Sequence, residues 1–169
     1  MLKFIQALDT RTFLSLFNPL QRPDLTRYSI AVSRSADGWL YLTLFPILAL
    51  VHPTTLTSHT CSVAYAFALE RVLYWVLKNG IRRRRPPQVL SDVNAVVHAA
   101  DRFSLPSGHT SAAFLFITTL CLVITPLLAP LYLWAASVGT SRVILGVHFP
   151  SDVILGAVLG SSVAMAVLS

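Results

Sequence analysis

The residues with the clearest potential for chemistry lie in the last third of the chain, where Ser141-Arg142 is followed by His148 and Asp152. Pro150 suits the first turn of a helix, so a helix is predicted to begin near it. A spacing of four residues across that turn brings the Asp152 carboxylate near the His148 ring. A carboxylate on Nδ1–H leaves Nε2 unprotonated, which is the state that a nucleophilic imidazole needs. Taken alone, however, the pair is more typical of a capping aspartate beside a structural histidine.

A second set of residues, Pro106-Ser107-Gly108-His109, stands at the start of a charge-free apolar stretch. A helix that begins here offers unpaired N–H groups and the positive end of its dipole to an anion, and Gly108 lets that anion approach the backbone. Ser107 can add a hydroxyl donor, and His109 can hand a proton to a departing oxygen. In isolation the tetrapeptide is more typical of a serine N-cap followed by a surface histidine.

Three cations, Lys78, Arg85 and Arg142, can supply positive charge to a phosphoryl group. Phosphoryl transfer is catalysed mainly by positioning and by neutralising the charge on the equatorial oxygens, which arginine forks match. A basic cluster that flanks a membrane span is also a common topology signal. The other arginines of the basic run are assigned to that topology role or to lipid headgroups: Arg82, Arg83 and Arg84.

The composition indicates a protein of the lipid bilayer. Of the 169 residues, 54% are hydrophobic and 12% are charged, whereas about 25% are charged in an ordinary soluble domain. This excludes a disordered chain and favours an integral membrane protein. The net charge of +6 coincides with hydrophobic spans, so it indicates anionic lipid or a phosphate substrate rather than nucleic acid.

The hydropathy pattern predicts an all-α fold, a polytopic transmembrane helix bundle of about five spanning helices in one domain over residues 1–169. Residues 1–37 are predicted to form an interfacial helical region, and residues 38–169 the transmembrane catalytic core. Residues 1–17 read as an amphipathic helix, either in the membrane interface or packed on the bundle. The predicted spans are near 38–52, 56–78, 108–126, 130–146 and 150–169. This order places the sets of chemical residues on one membrane face.

Two ionisable residues inside the second predicted span, Glu70 and Arg71, belong to none of these sets. Ionisable residues at membrane depth indicate a functional site by default. An internal ion pair, or contacts with neighbouring helices, is an equally open interpretation.

Together the spaced residues resemble the three-part signature of the type-2 phosphatidic acid phosphatase superfamily, which includes vanadium haloperoxidases and soluble bacterial acid phosphatases. The first part is Lys78-(six residues)-Arg85-Pro86, and the second is Pro106-Ser107-Gly108-His109. The third is Ser141-Arg142-(five residues)-His148-(three residues)-Asp152. Every signature position is matched, and the resemblance covers about residues 38–169.

The resemblance implies a role for each residue. His148 would attack phosphorus in line and form a phosphohistidine, with Asp152 orienting the ring. His109 would protonate the leaving oxygen and then activate the water that hydrolyses the intermediate. Members of the family need no metal, so no metal ligands and no cofactor are predicted. The residues that would bind the phosphate are Lys78, Arg85, Ser107, Gly108 and Arg142.

The predicted function is therefore a membrane lipid phosphatase whose substrate is undecaprenyl diphosphate, phosphatidylglycerol phosphate, phosphatidic acid or a lipid A phosphate. One alternative is a haloperoxidase or soluble-substrate phosphatase of the same superfamily, and the hydrophobic spans count against both. Another is a non-catalytic lipid-binding or transport protein, which would not need an intact acid, nucleophile and orienter. The resemblance implies a site on the extracytoplasmic face of a bacterial cytoplasmic membrane, whereas the positive-inside rule favours the cytoplasmic face.

Overall fold

The computed structural model describes residues 2–43, 53–99 and 101–169. No strand occurs in these ranges, so the predicted all-α class is confirmed. Two 3₁₀ helices, Asn18–Leu20 and Pro126–Leu131, precede α2 and α6, and residues 38–43 are also helical. The α-helices are α1 (Leu2–Phe17), α2 (Pro23–Ser35), α3 (Pro53–Ile81), the one-turn α4 (Pro86–Val89), α5 (Gly108–Val123), α6 (Tyr132–Ile144) and α7 (Pro150–Leu168).

Three helical segments in the described ranges are long and apolar enough to cross a membrane: His59–Val89, Pro126–Ile144 and Pro150–Leu168. They correspond to the predicted second, fourth and fifth spans, and they identify an integral membrane protein. Helix α5 stands at the predicted third span, but it has only 16 residues, fewer than the roughly 20 that cross the hydrocarbon. Most of the predicted first span lies outside the described residues, so the number of five spans stays a prediction.

Helix α5 lies at the centre of the bundle and packs against α3, α6 and α7. Its contact with α7 is very close because Gly156 and Gly160 face it. A Cβ on Gly160 would lie 2.1 Å from the Ser111 carbonyl oxygen, and one on Gly156 would lie 2.6 Å from that of Ser107. The Ser107 N–H also donates to the Asp152 carbonyl oxygen at 3.0 Å. The N-terminal ends of α5 and α7 are therefore held side by side.

The turn between α6 and α7 carries His148. Gly146 has φ +75°, a left-handed conformation that glycine adopts without steric cost. The N–H groups of Val147 and His148 both donate to the Arg142 carbonyl oxygen, at 3.2 and 3.3 Å. Pro150 then begins α7 as predicted. The turn therefore fixes His148 between two helix ends.

Helix α1 packs against the bundle, which is one of its two predicted placements. The Phe13 side chain is fully buried, and its ring lies edge-on to that of Phe149 with 5.4 Å between centroids. Phe17 stacks on Phe13 and joins the same cluster with Val143. The contact brings the polar face of α1 next to the start of α7.

Candidate active site

All three predicted sets of residues meet at the paired ends of α5 and α7. Arg85 Nη1 lies 3.4 Å from His148 Nε2 and donates to the Val147 carbonyl oxygen at 2.7 Å. Lys78 Nζ donates to the Pro106 carbonyl oxygen at 3.3 Å. Lys78 thus contacts the second part of the signature, and Arg85 contacts the third part.

The His148 imidazole is buried and chemically poised. Its Nδ1 lies 3.6 Å from Asp152 Oδ2, which is longer than a hydrogen bond, and Nδ1 has no hydrogen-bond partner among the described residues. Burial lowers the pKa of His148 to about 4, with Asp152 opposing the shift and the charges of Arg85 and Arg142 assisting it. The ring is therefore neutral at neutral pH, with Nε2 on the side of the Arg85 guanidinium.

This buried imidazole is expected to make the folded protein less stable in acid. The pKa of His148 is about 4 in the fold, against an ordinary value of 6.5, so between these values only the unfolded chain binds the proton. The stabilisation is complete above pH 6.5 and is lost as the pH falls through about 4, a change of about 3 kcal/mol. When the pH is lowered from 7 to 4.5 in detergent, the free energy of unfolding should fall more for the wild type than for the His148→Asn variant. An equal shift in both proteins would contradict the low pKa.

The Asp152 carboxylate is fully buried and saturated with donors. Its Oδ2 accepts from the Phe149 N–H and from the Ser104 hydroxyl, both at 2.8 Å. Its Oδ1 accepts from Arg83 Nη1 at 2.7 Å. These bonds fix the carboxylate beside His148, so the ring is positioned by a rigid neighbour.

Arg83 was expected to act as a topology signal or a lipid contact, and this expectation is wrong. Its guanidinium is largely buried, stacks 4.4 Å from the Phe149 ring centroid and links Asp152 to Asp9 of α1. The Ser151 hydroxyl accepts from Arg83 Nη1 at 2.6 Å and donates to Asp9. Arg83 pairs with carboxylates rather than with lipid because it is buried, and a desolvated guanidinium needs carboxylate partners. We call this chain of residues, Asp9–Arg83–Asp152, the acidic–basic relay.

The cations Lys78 and Arg85 share one carboxylate, that of Asp101. Asp101 Oδ2 lies 2.8 Å from Lys78 Nζ and accepts from the Tyr74 hydroxyl, while Oδ1 pairs with the Arg85 guanidinium. Although partial burial raises it, the hydrogen bonds from Lys78 and Tyr74 and the nearby cations bring the pKa of Asp101 down to about 2. An ionised carboxylate thus occupies the place where the resemblance puts phosphate oxygens.

The second set adopts the predicted helix start, with Ser107 as the N-cap of α5. The Ser107 hydroxyl is buried and bonds that of Thr110 at 2.9 Å. Gly108 faces the Tyr74 ring, which a Cβ would approach to 3.0 Å. His109 Nε2 lies 3.0 Å from Asp37 Oδ1. No sequence pattern points to Asp37, because it precedes the predicted first span and belongs to no motif.

Arg142 completes the cationic wall from α6. It is buried, and its Nη1 donates to the Ser33 hydroxyl of α2 at 2.6 Å. Its Nε is buried without a hydrogen-bond partner among the described residues. A buried guanidinium with an unused donor is a suitable partner for an anionic ligand.

Known proteins with similar sequences are lipid phosphatases. The chain is 34% identical over 130 residues to decaprenylphosphoryl-5-phosphoribose phosphatase of Mycobacterium tuberculosis, covering 75% of this chain and 67% of the relative. It is 27% identical over 152 residues to undecaprenyl-diphosphatase of Sulfolobus acidocaldarius, covering 86% of this chain and 70% of the relative. These names support the predicted class of membrane lipid phosphatases and count against the non-catalytic alternative.

The fold is shared with solved membrane phosphatases. The crystal structure of LpxE from Aquifex aeolicus superimposes with a TM-score of 0.83 at 29% identity, over 95% of this chain and 94% of that chain. The phosphatidylglycerolphosphate phosphatase of Bacillus subtilis superimposes with a TM-score of 0.78 at 26% identity, over 96% of this chain and 84% of that chain. Residues 59–169 match the PAP2 superfamily pattern, the family that the three-part signature resembles. The chain belongs to the PAP2 superfamily.

Proposed function

We propose that this PAP2 protein removes the terminal phosphate from a lipid phosphate or diphosphate through a phosphohistidine on His148. The observation that carries the proposal is the pairing of His148 Nε2 with Arg85 Nη1, 3.4 Å apart in a buried site. A neutral imidazole beside a fixed cation is a nucleophile with charge stabilisation already in place.

The proposed reaction has two balanced steps. In the first, His148 Nε2 forms a bond to phosphorus while the bond from phosphorus to the leaving oxygen breaks, and that oxygen takes a proton from His109. In the second, His109 accepts a proton from water, whose oxygen attacks phosphorus and releases inorganic phosphate and neutral His148. Lys78, Arg85 and Arg142 neutralise the phosphoryl oxygens in both steps.

Asp152 and the relay are proposed to hold His148 in line with the phosphorus atom. The carboxylate has three donors besides the nearby ring, so its position is fixed before substrate binds. Ser107 and Gly108 are proposed to contact the phosphate at the start of α5, where helix amide groups favour an anion.

The substrate that we propose carries a second phosphate beyond the one that is hydrolysed. Support comes from the substrates named for the relatives: undecaprenyl diphosphate, decaprenylphosphoryl-5-phosphoribose and phosphatidylglycerolphosphate. A polyprenyl diphosphate has the second phosphate, and its apolar chain can lie against the apolar surface of the bundle.

A panel of lipid phosphates tests the proposed function. Purified protein is expected to release phosphate from farnesyl diphosphate, phosphatidylglycerol phosphate or phosphatidic acid in mixed micelles. Release from none of them would contradict the proposal. A preference for water-soluble phosphate esters would favour the soluble-substrate alternative instead.

We further propose that the protein resides in the cytoplasmic membrane of a bacterium with its site on the extracytoplasmic face. The support is the resemblance to bacterial members of the family. The C-terminus then lies in the cytoplasm, because α7 runs away from the site. A fluorescent protein fused there should fluoresce, and a fusion active only as a periplasmic reporter would reverse the orientation.

Replacing Asp101 with asparagine is expected to strengthen inhibition by inorganic phosphate. The ionised Asp101 carboxylate holds Lys78 and Arg85, so an incoming phosphate must displace it. Removing the charge should lower the inhibition constant about ten-fold, comparable to one charge-assisted hydrogen bond. The exposed Asp92, changed to asparagine, is a control from the same loop. Equal or weaker inhibition of the Asp101 variant would show that this carboxylate does not compete with phosphate.

A further inference from the structure

Glu70 and Arg71, which the signature leaves unassigned, form an ion pair with two different sides. Glu70 is buried and accepts from the Ser111 hydroxyl at 2.6 Å and from Arg71 Nε and Nη2 at 2.6 and 2.7 Å. The internal ion pair, one of the interpretations that the sequence left open, is therefore present. The Arg71 side chain, in contrast, is 50% exposed, and its Nη1 makes no hydrogen bond within the described residues.

Arg71 lines a cavity of about 440 Å³ together with His109 and Tyr74. Part of its wall is apolar, formed by Ala36, Tyr41, Phe67 and Ala112. In the proposed reaction His109 protonates the leaving oxygen. A cavity at His109 is therefore the place for the leaving group, and its apolar wall suits the lipid part of that group.

Arg71 lies close to the phosphate-binding cations. Its Cζ is 4.3 Å from the Tyr74 ring centroid, and Lys78 Nζ is 4.5 Å from the same centroid. The cations of Arg71 and Lys78 thus flank one ring. The cavity wall also contains three carboxylates, but each has a partner. Glu70 pairs with Arg71, Asp37 pairs with His109, and Asp101 pairs with Lys78 and Arg85. Arg71 lies in this cavity wall with the hydrogen-bond donors of Nη1 unused within the described residues.

We propose that Arg71 binds a phosphate carried by the leaving group and so selects lipids with a second phosphate. The Glu70 carboxylate orients the guanidinium by accepting from Nε and Nη2. The Nη1 donors are left for an anion. In a lipid diphosphate the leaving group is itself a lipid monophosphate. Its negative charge pairs with Arg71 while His109 protonates the bridging oxygen. A simple lipid monophosphate leaves as an alcohol and gives Arg71 nothing to bind. This inference rests on the proposed function.

Two substrates with the same hydrocarbon chain isolate the effect of Arg71. Arg71→Gln is expected to lower kcat/KM for farnesyl diphosphate ten-fold or more and for farnesyl monophosphate less than two-fold, because only the diphosphate loses a charge-assisted bond. Arg71→Lys should restore part of the diphosphate activity. Arg27→Gln, which removes an exposed arginine from α2, is the matched control. It should leave kcat/KM unchanged for both substrates.

Arg71→Gln leaves the buried Glu70 without its counter-charge, so a second variant guards against misfolding. The double variant Glu70→Gln/Arg71→Gln removes both charges and should show the same loss of discrimination between the two substrates. An equal loss on both substrates, in folded single and double variants, would overturn the inference while leaving the proposed function intact. If the wild-type protein hydrolyses neither substrate nor any other lipid phosphate, the proposed function itself fails.

Discussion

Replacing His148 with alanine is expected to abolish phosphate release, with kcat lowered at least about 1,000-fold, as for the loss of a covalent nucleophile in other enzymes. The remaining groups can still bind the phosphate, since Lys78, Arg85 and Arg142 reach the site from other elements. Affinity for inorganic phosphate should therefore change much less than turnover. The measurement is steady-state phosphate release from farnesyl diphosphate, together with inhibition by phosphate.

The matched control for this change is His98→Ala, which removes an exposed histidine from the loop before the second set. It should keep wild-type turnover. A His148→Ala protein that folds and still turns over at more than a few per cent of the wild-type rate would rule out His148 as the nucleophile.

Replacing Arg83 with glutamine is expected to have the second largest effect, on stability and on turnover together. The change leaves Asp9 and Asp152, both buried, without the guanidinium that separates their charges. Breaking a buried ion pair from one side costs about 3–5 kcal/mol. Because Asp152 then loses its fixed position beside His148, kcat should fall more than KM rises. Thermal unfolding in detergent and steady-state kinetics measure the two effects.

Arg84→Gln is the control for this experiment, because Arg84 is the next residue in the chain and is exposed. Its stability should stay within about 0.5 kcal/mol of the wild type. In the double variant Asp9→Asn/Arg83→Gln, the unpaired charge of Asp9 is gone, so part of the lost stability should return. If Arg83→Gln and Arg84→Gln behave alike, the relay has no energetic role.

The helices and the clustering of the signature residues could be predicted from the sequence for physical reasons. Predominantly apolar stretches of about 20 residues have few structures open to them other than membrane helices, so α3, α6 and α7 were predicted near their observed positions. Proline marks the starts of α3 and α7, which follows from its fixed φ and missing N–H. The signature residues have fixed spacing, and spacing within a helix start determines which side chains are neighbours.

The partners of those residues could not be predicted from the sequence, because they come from distant parts of the chain. Asp9 and Asp37 lie in segments without a motif, and Asp101 is one acid in an irregular loop. Among neighbouring arginines, only burial separates Arg83 from Arg84, and burial follows from how α1 packs on α7. The acidic–basic relay thus depends on tertiary packing that no local pattern encodes.

These contacts extend the site beyond the three-part signature. Helix α1 supplies Asp9 to the relay behind the proposed nucleophile, and the segment after α2 supplies Asp37 to the proposed acid. The N-terminal region, predicted as an interfacial helical region whose first helix lies in the interface or packs on the bundle, therefore contacts both ends of the proposed reaction path. We expect its removal to lower turnover, while the helices long enough to cross the membrane remain.

The phosphohistidine mechanism is tested most directly by trapping the phosphoenzyme in the variant His109→Ala. With para-nitrophenyl phosphate the leaving group needs no proton, so the first step proceeds, while hydrolysis of the intermediate lacks its base. The protein is quenched in alkali, which preserves phosphohistidine, and the modified residue is located by tandem mass spectrometry. One phosphoryl group is expected, on His148. Nitrophenol release with no phosphorylated residue, or with the phosphoryl group on a different side chain, would contradict this mechanism.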